Sequence, residues 1–100
     1  MAFKMKITLV TFECGTKERR DEFFKEYYPF GSKCETEPGC IQYEYFMRIK
    51  NDSQIFLLER WENDEALKLH MSTENLKKMQ SIEKKYGIFP ALIKYEGEEA

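Results

Sequence analysis

The sequence predicts an α+β fold, an antiparallel sheet with its helices gathered on one face. Three observations lead there. Segments rich in β-branched and aromatic residues alternate with helix-period segments in the order strand, helix, strand, strand, helix, strand. The second and third strands meet across Asn51-Asp52-Ser53, which is turn chemistry and makes them a hairpin. A chain of 100 residues has room for one core, so a single domain is expected over residues 1–100.

The first strand is Met5 to Phe12, where Ile, Thr and Val accompany Leu and Phe. Thr16 follows Gly15 as a helix N-cap and opens a helix in which Phe23 with Tyr27, and Phe24 with Tyr28, recur at i, i+4. Pro29 and Gly31 are expected to end it, and residues 31–39 to form a loop closing on the Pro38-Gly39 turn. Cys40 to Ile49 is the second strand and Gln54 to Trp61 the third. Asn63 caps a short helix from Asp64 to about Met71, and Ser72 or Thr73 caps a second one that stops at Gly87. Leu76, Met79, Ile82 and Tyr86 line one side of that second helix. After Pro90, Ala91 to Tyr95 supplies the fourth strand. This order is the ferredoxin-like βαββαβ arrangement.

Composition narrows the function. Sixteen Lys and Arg against 18 Asp and Glu give a net charge of −2, which is no footprint for nucleic acid. Fifteen per cent aromatic residues exclude an acidic disordered chain. No apolar run approaches the roughly 20 residues that span a bilayer. The N-terminus alternates lysine with apolar residues and shows no cleavage signal, so a cytoplasmic location and no membrane partner are expected. Cys14, Cys34 and Cys40 are odd in number and lack a C-x-x-C, a poor basis for disulfides. With one histidine and no paired ligand spacing, no metal is expected. Nor is a nucleotide cofactor, because the five glycines form no phosphate loop.

The strands raise a question of cover. Ile55 and Leu57 point one way and Phe56 and Leu58 the other, and the first strand repeats this with Ile7 and Leu9 against Val10 and Phe12. Helices cover one face only. The second is expected to pack on another copy of the chain, giving a homodimer; the alternative is a monomer with an apolar face open.

Few side chains offer chemistry. His70 follows Ala66 and Leu67 on the sheet-facing side of its helix, either as a core histidine with one hydrogen bond or as a proton acceptor beside a pocket. Trp61 ends the third strand on the same side as Glu59, as a core residue or as the wall of an aromatic site. Tyr43 and Tyr45 share one face of the second strand; Glu44, Phe46 and Arg48 share the other. Cys40 reads as a small buried hydrophobe.

The segments Glu37-Pro-Gly-Cys-Ile-Gln-Tyr43 and Glu59-Arg-Trp-Glu-Asn-Asp-Glu-Ala-Leu-Lys-Leu-His70, separated by a hairpin, resemble the antibiotic biosynthesis monooxygenase family, including its quinol monooxygenases. The resemblance runs from about Met5 to Tyr95. It implies a dimeric α/β barrel and the oxidation of a quinol-like or polycyclic aromatic small molecule by O2, with no metal, flavin or haem. It makes His70 the base and puts Trp61, Tyr43 and Glu59 against the substrate. Asn75 stands where many members have a second histidine, and an asparagine orients a ligand without relaying a proton. Two other functions accompany this one. One is a non-catalytic dimer that binds a small ligand or serves as a stress-response module. The other is an isomerase or degrading enzyme for a small phosphorylated signalling sugar, which requires Arg48, Arg60 and Lys94 to converge.

Overall fold

The protein is represented by a computed structural model that describes residues 4–98. The single-domain expectation for 1–100 therefore extends, at residues 1–3 and 99–100, outside the described residues. Strand β1 (Lys4–Glu13) is followed by helix α1 (Lys17–Gly31), a 3₁₀ segment (Ser32–Thr36), strands β2 (Cys40–Met47) and β3 (Gln54–Trp61), helices α2 (Asp64–Met71) and α3 (Glu74–Tyr86), and strand β4 (Ala91–Glu98). The four strands form one antiparallel sheet in the order β2-β3-β1-β4, the ferredoxin-like topology.

The caps act where the sequence places them. Thr16 accepts a hydrogen bond from the Arg19 N–H, Asn63 from the Ala66 N–H and Thr73 from the Leu76 N–H. Gly87 ends α3 with φ +68°, a left-handed conformation that glycine adopts without a Cβ penalty. Three elements differ from expectation, one of them β4, which runs past Tyr95 to Glu98. Pro29 does not end α1: it lies in the last turn, where its missing N–H deprives only the Lys25 carbonyl, and the chain tightens into the 3₁₀ segment instead of looping. Gly31 is right-handed, with φ −60°, so it is no left-handed stop. It is there for space, because a Cβ would lie 2.3 Å from the Tyr45 hydroxyl oxygen. Strand β2 ends at Met47, two residues early, where Arg48 turns to donate to the Gln54 side chain at 3.0 Å.

Side-chain parity divides the sheet. Val10, Phe12, Ile55, Leu57, Trp61 and Tyr43 are buried beneath the helices with Phe23, Tyr27, Met79 and Ile82. Phe12, Phe23 and Tyr27 meet at centroid distances of 4.6–5.8 Å. Each such side chain contributes about 1.5–3 kcal/mol by leaving water. On the opposite face no element covers the sheet, among the described residues. Leu9 pairs with Leu58 on one side and Ile93 on the other, Phe46 pairs with Phe56, and Ile7 pairs with Tyr95. Phe46, Ile93 and Tyr95 are 42%, 56% and 50% exposed. Among the described residues no helix is long and apolar enough to cross a membrane.

Candidate functional site

The helix-facing side of the sheet carries a polar row at its middle. Tyr43 on β2 pairs with Glu59 on β3, Glu59 with Thr8 on β1, and Thr8 with Lys94 on β4. One ladder step further along is Tyr45, Leu57, Val10 and Leu92, which is apolar apart from one phenol. Burying Glu59 and Thr8 next to such a row costs free energy unless each polar atom has a partner. Helix α2 lies above and brings His70.

His70 is 2% exposed. Its Nδ1 donates to Glu37 Oε1 at 2.8 Å, and its Nε2 lies 3.7 Å from Glu59 Oε1. The same Glu59 oxygen accepts the Trp61 indole N–H at 3.0 Å. The imidazole stacks on that indole, with centroids 4.6 Å apart and planes 30° apart, and meets the Tyr43 ring edgewise at 5.7 Å. Burial pushes the Glu59 carboxyl above the ordinary carboxylate range, against the opposing pull of the Trp61 hydrogen bond and the His70 charge. Burial also raises the Tyr43 phenol far from ionisation. The pair Glu59–His70 can therefore hold or accept a proton in a site with little water.

Local structure explains how Glu37 arrives there. The 3₁₀ segment runs into the Pro38-Gly39 turn, and Gly39 has φ +80°. A Cβ on Gly39 would lie 2.5 Å from the Ala66 Cβ, so the turn packs directly on α2 one helical turn before His70. The Gly39 carbonyl also accepts from the Glu62 N–H at 2.9 Å. Turn and helix are thus fixed to each other, and the Glu37–His70 bond with them.

Two cavities border the site, the first at both His70 and Glu59 and the second at Glu59. One, of about 100 Å³, is lined by His70, Glu59, Tyr43, Leu57 and Leu92 among others. The second, of about 260 Å³, lies between α2 and β4 against Glu59, Thr8, Leu67, Met71, Leu92 and Lys94. Glu59 borders both. Their walls are mainly apolar, as suits an aromatic ligand.

His70, Trp61, Tyr43 and Glu59 are brought together, Trp61 as a fully buried support behind Glu59. Asn75 is not: its amide nitrogen donates to the Phe30 carbonyl at 2.8 Å and ties α3 to the end of α1. Arg48, Arg60 and Lys94 do not converge. Arg48 lies at the hairpin, and Arg60 faces the uncovered side, where it donates to Gln42 at 2.8 Å. Of the three only Lys94 lines the cavity, and Lys68, which lines it too, is paired with Asp64 at 3.0 Å, so the cluster of Arg48, Arg60 and Lys94 expected for a phosphorylated sugar does not form.

Sequence reasoning left Glu37 without a role, although it stands at the head of the motif. It also left Cys34 and Thr8 aside. The donors Cys34 Sγ, Glu37 and His70 lie within 4.8 Å of one another, so three metal-binding types meet where sequence spacing gave no pattern. A metal there would displace the 2.8 Å Glu37–His70 bond and ionise a thiol that burial pushes up to about 12.

A model of the family described as "Antibiotic biosynthesis monooxygenase" matches residues 5–81. The chain is 30% identical over 56 residues to "Putative monooxygenase YcnE" of Bacillus subtilis (strain 168), covering 56% of this chain and 59% of that protein. It is 31% identical over 55 residues to the uncharacterized protein YjcS of the same organism, covering 55% and 52%. The match thus spans little more than half the length of these curated relatives. Among solved structures, a Deinococcus radiodurans protein described as a "putative antibiotic biosynthesis monooxygenase" superposes with a TM-score of 0.85 at 18% identity, over 95% of this chain and 94% of that one. A Methanosarcina mazei Go1 conserved protein gives 0.77 at 20%, over 91% of each. At such identities the likeness shows the fold alone.

Proposed function

The chain belongs to the antibiotic biosynthesis monooxygenase family, and from that premise we propose that it oxidises a quinol-like or polycyclic aromatic small molecule with O2, without a metal, flavin or haem. The observation that carries the reading is the buried pair of Glu59 and His70, backed by Glu37 and set against apolar cavities.

The substrate hydroxyl gives its proton to this pair. The resulting anion is electron-rich enough to pass one electron to O2, and the radical and superoxide recombine to form a carbon–oxygen bond. The pair returns its proton to the peroxide. The adjacent ring C–H bond and the O–O bond then break, leaving a carbonyl and one water. The substrate loses two hydrogens and gains one oxygen atom, so no external reductant enters. The protein's part is to orient the ring, limit water at the reacting hydroxyl and move one proton, all of which an apolar cavity beside one buried acid–base pair can do.

A second copy of the chain packs on the uncovered sheet face in this reading. The support is the exposure of Phe46, Ile93 and Tyr95 around a continuous apolar centre of Leu9, Leu58 and Phe56.

Oxygen uptake with a reduced naphthoquinone tests the activity. The wild type is expected to exceed buffer autoxidation and His70→Ala to fall by about 100-fold or more relative to it. Equal rates in both, no faster than buffer, overturn the reading.

A further inference from the structure

The cavity between α2 and β4 is chemically different at its two ends. Glu59 stands at one, buried and with its carboxyl raised by burial; Lys94 stands at the other. Thr8 lies between them in the same cross-strand row, itself 4% exposed. Neighbouring strands are about 4.8 Å apart, so the backbones of Glu59 and Lys94 lie roughly 9.6 Å from each other across the sheet. The cavity above them, of about 260 Å³, has room for a two-ring aromatic with a polar group at each end.

The cations around the cavity are not equivalent. Lys68 is paired with Asp64 at 3.0 Å, and Lys6, beside the adjoining part of the β1–β4 surface, is paired with Glu96. Lys94 has no carboxylate within ion-pair distance among the described residues, although it lines the cavity. A cation with no ion pair of its own, on an apolar space whose far end is the buried Glu59 carboxyl that its charge reaches, selects both charge and direction. A carboxylate placed at Glu59 would meet a like charge or a carboxyl with no charge to offer. At Lys94 it finds its counter-ion, and the hydroxyl is then delivered to Glu59 and His70.

We propose that the row Glu59–Thr8–Lys94 binds a hydroxylated two-ring aromatic acid, with the carboxylate on Lys94 and the reacting hydroxyl on the Glu59–His70 pair. The proposal rests on the aromatic-pocket reading above and adds the substrate's second functional group and its orientation.

Calorimetric titration with two probes under nitrogen, where no oxidation can follow binding, separates the two. 6-Hydroxy-2-naphthoate carries the hydroxyl and carboxylate at opposite ends, and 2-naphthol carries the hydroxyl alone. The wild type is expected to bind the acid about 5- to 10-fold more tightly, with the preference shrinking as salt is raised. Lys94→Met should bind both equally, and Lys94→Arg should keep the preference. Equal binding of the two probes by the wild type, or an undiminished preference in Lys94→Met, overturns the proposal while leaving the aromatic pocket standing. Binding of neither probe overturns the pocket and the proposal together.

Discussion

The Trp61 indole and the His70 imidazole stack at 4.6 Å and share one carboxylate, since Glu59 Oε1 accepts the indole N–H at 3.0 Å and faces His70 Nε2 at 3.7 Å. Tryptophan here supports the buried Glu59–His70 pair from behind; at 0% exposure it presents no wall to a ligand. Trp61→Phe keeps a ring against the imidazole but deletes the donor to Glu59 and leaves space. A loss of about 2–4 kcal/mol in urea unfolding is expected, from the unmade hydrogen bond and the cavity together. A change within 0.5 kcal/mol would show that the indole N–H contributes nothing to holding Glu59.

Gly31 and Tyr45 form a second tight relationship. A Cβ on Gly31 would lie 2.3 Å from the Tyr45 hydroxyl oxygen, and that hydroxyl is buried without a hydrogen-bond partner among the described residues. Gly31→Ala should destabilise by about 1–3 kcal/mol through overpacking. Tyr45→Phe alone should be neutral or stabilising, because it removes an unsatisfied polar atom. The double variant should recover most of the loss, giving a coupling above about 1 kcal/mol in a double-mutant cycle. Additive effects would mean that the glycine is needed for some other reason.

The reach of the sequence follows from how local each cause is. Thr16, Asn63 and Thr73 bond to atoms three residues on, so their capping was legible. So was the division of the sheet into two apolar faces, since parity along a strand needs no knowledge of its partners. Pro29 misled because its effect depends on its place within the last turn. Glu37 and His70 are 33 positions apart, and they meet through tertiary contacts of Gly39, with Ala66 and with the Glu62 N–H. Asn75 falls in the same class, for its partner at Phe30 is 45 positions away. Parity alone separates Arg60 from Glu59, but whether Lys94 shares the Glu59 row depends on the β1–β4 register.

The proposed dimer makes a prediction that leaves the monomer fold intact. Phe46 and Ile93 lie on the uncovered face and are already half exposed, so Phe46→Glu with Ile93→Glu removes little from the monomer core. The wild type should sediment at twice 12.0 kDa at micromolar concentration, and the variant at 12.0 kDa with unchanged circular dichroism. Two charges buried in an apolar interface weaken association by well over about tenfold. A wild-type sedimentation mass of 12.0 kDa would leave the apolar face to some other cover.

Stability should depend on pH through Glu59. Burial raises its carboxyl in the folded chain above 4.5, the value it returns to on unfolding. Between 4.5 and the raised value the folded chain holds a proton that the unfolded chain has released, so rising pH favours unfolding across that window. The contribution is complete below 4.5 and is lost as pH rises through the folded value. Each unit of displacement corresponds to about 1.4 kcal/mol. Glu83, raised by burial as well, acts with the same sign, whereas Glu13, Glu96 and Asp64 are lowered by hydrogen bonds and act at more acidic pH. Glu59→Gln keeps an oxygen for the Trp61 indole and removes the titration. Its urea midpoint should therefore fall less than that of the wild type between pH 5 and 8, and Glu59→Gln with Glu83→Gln less again. Parallel curves for the three proteins would show that the Glu59 carboxyl ionises in the fold as freely as it does in water.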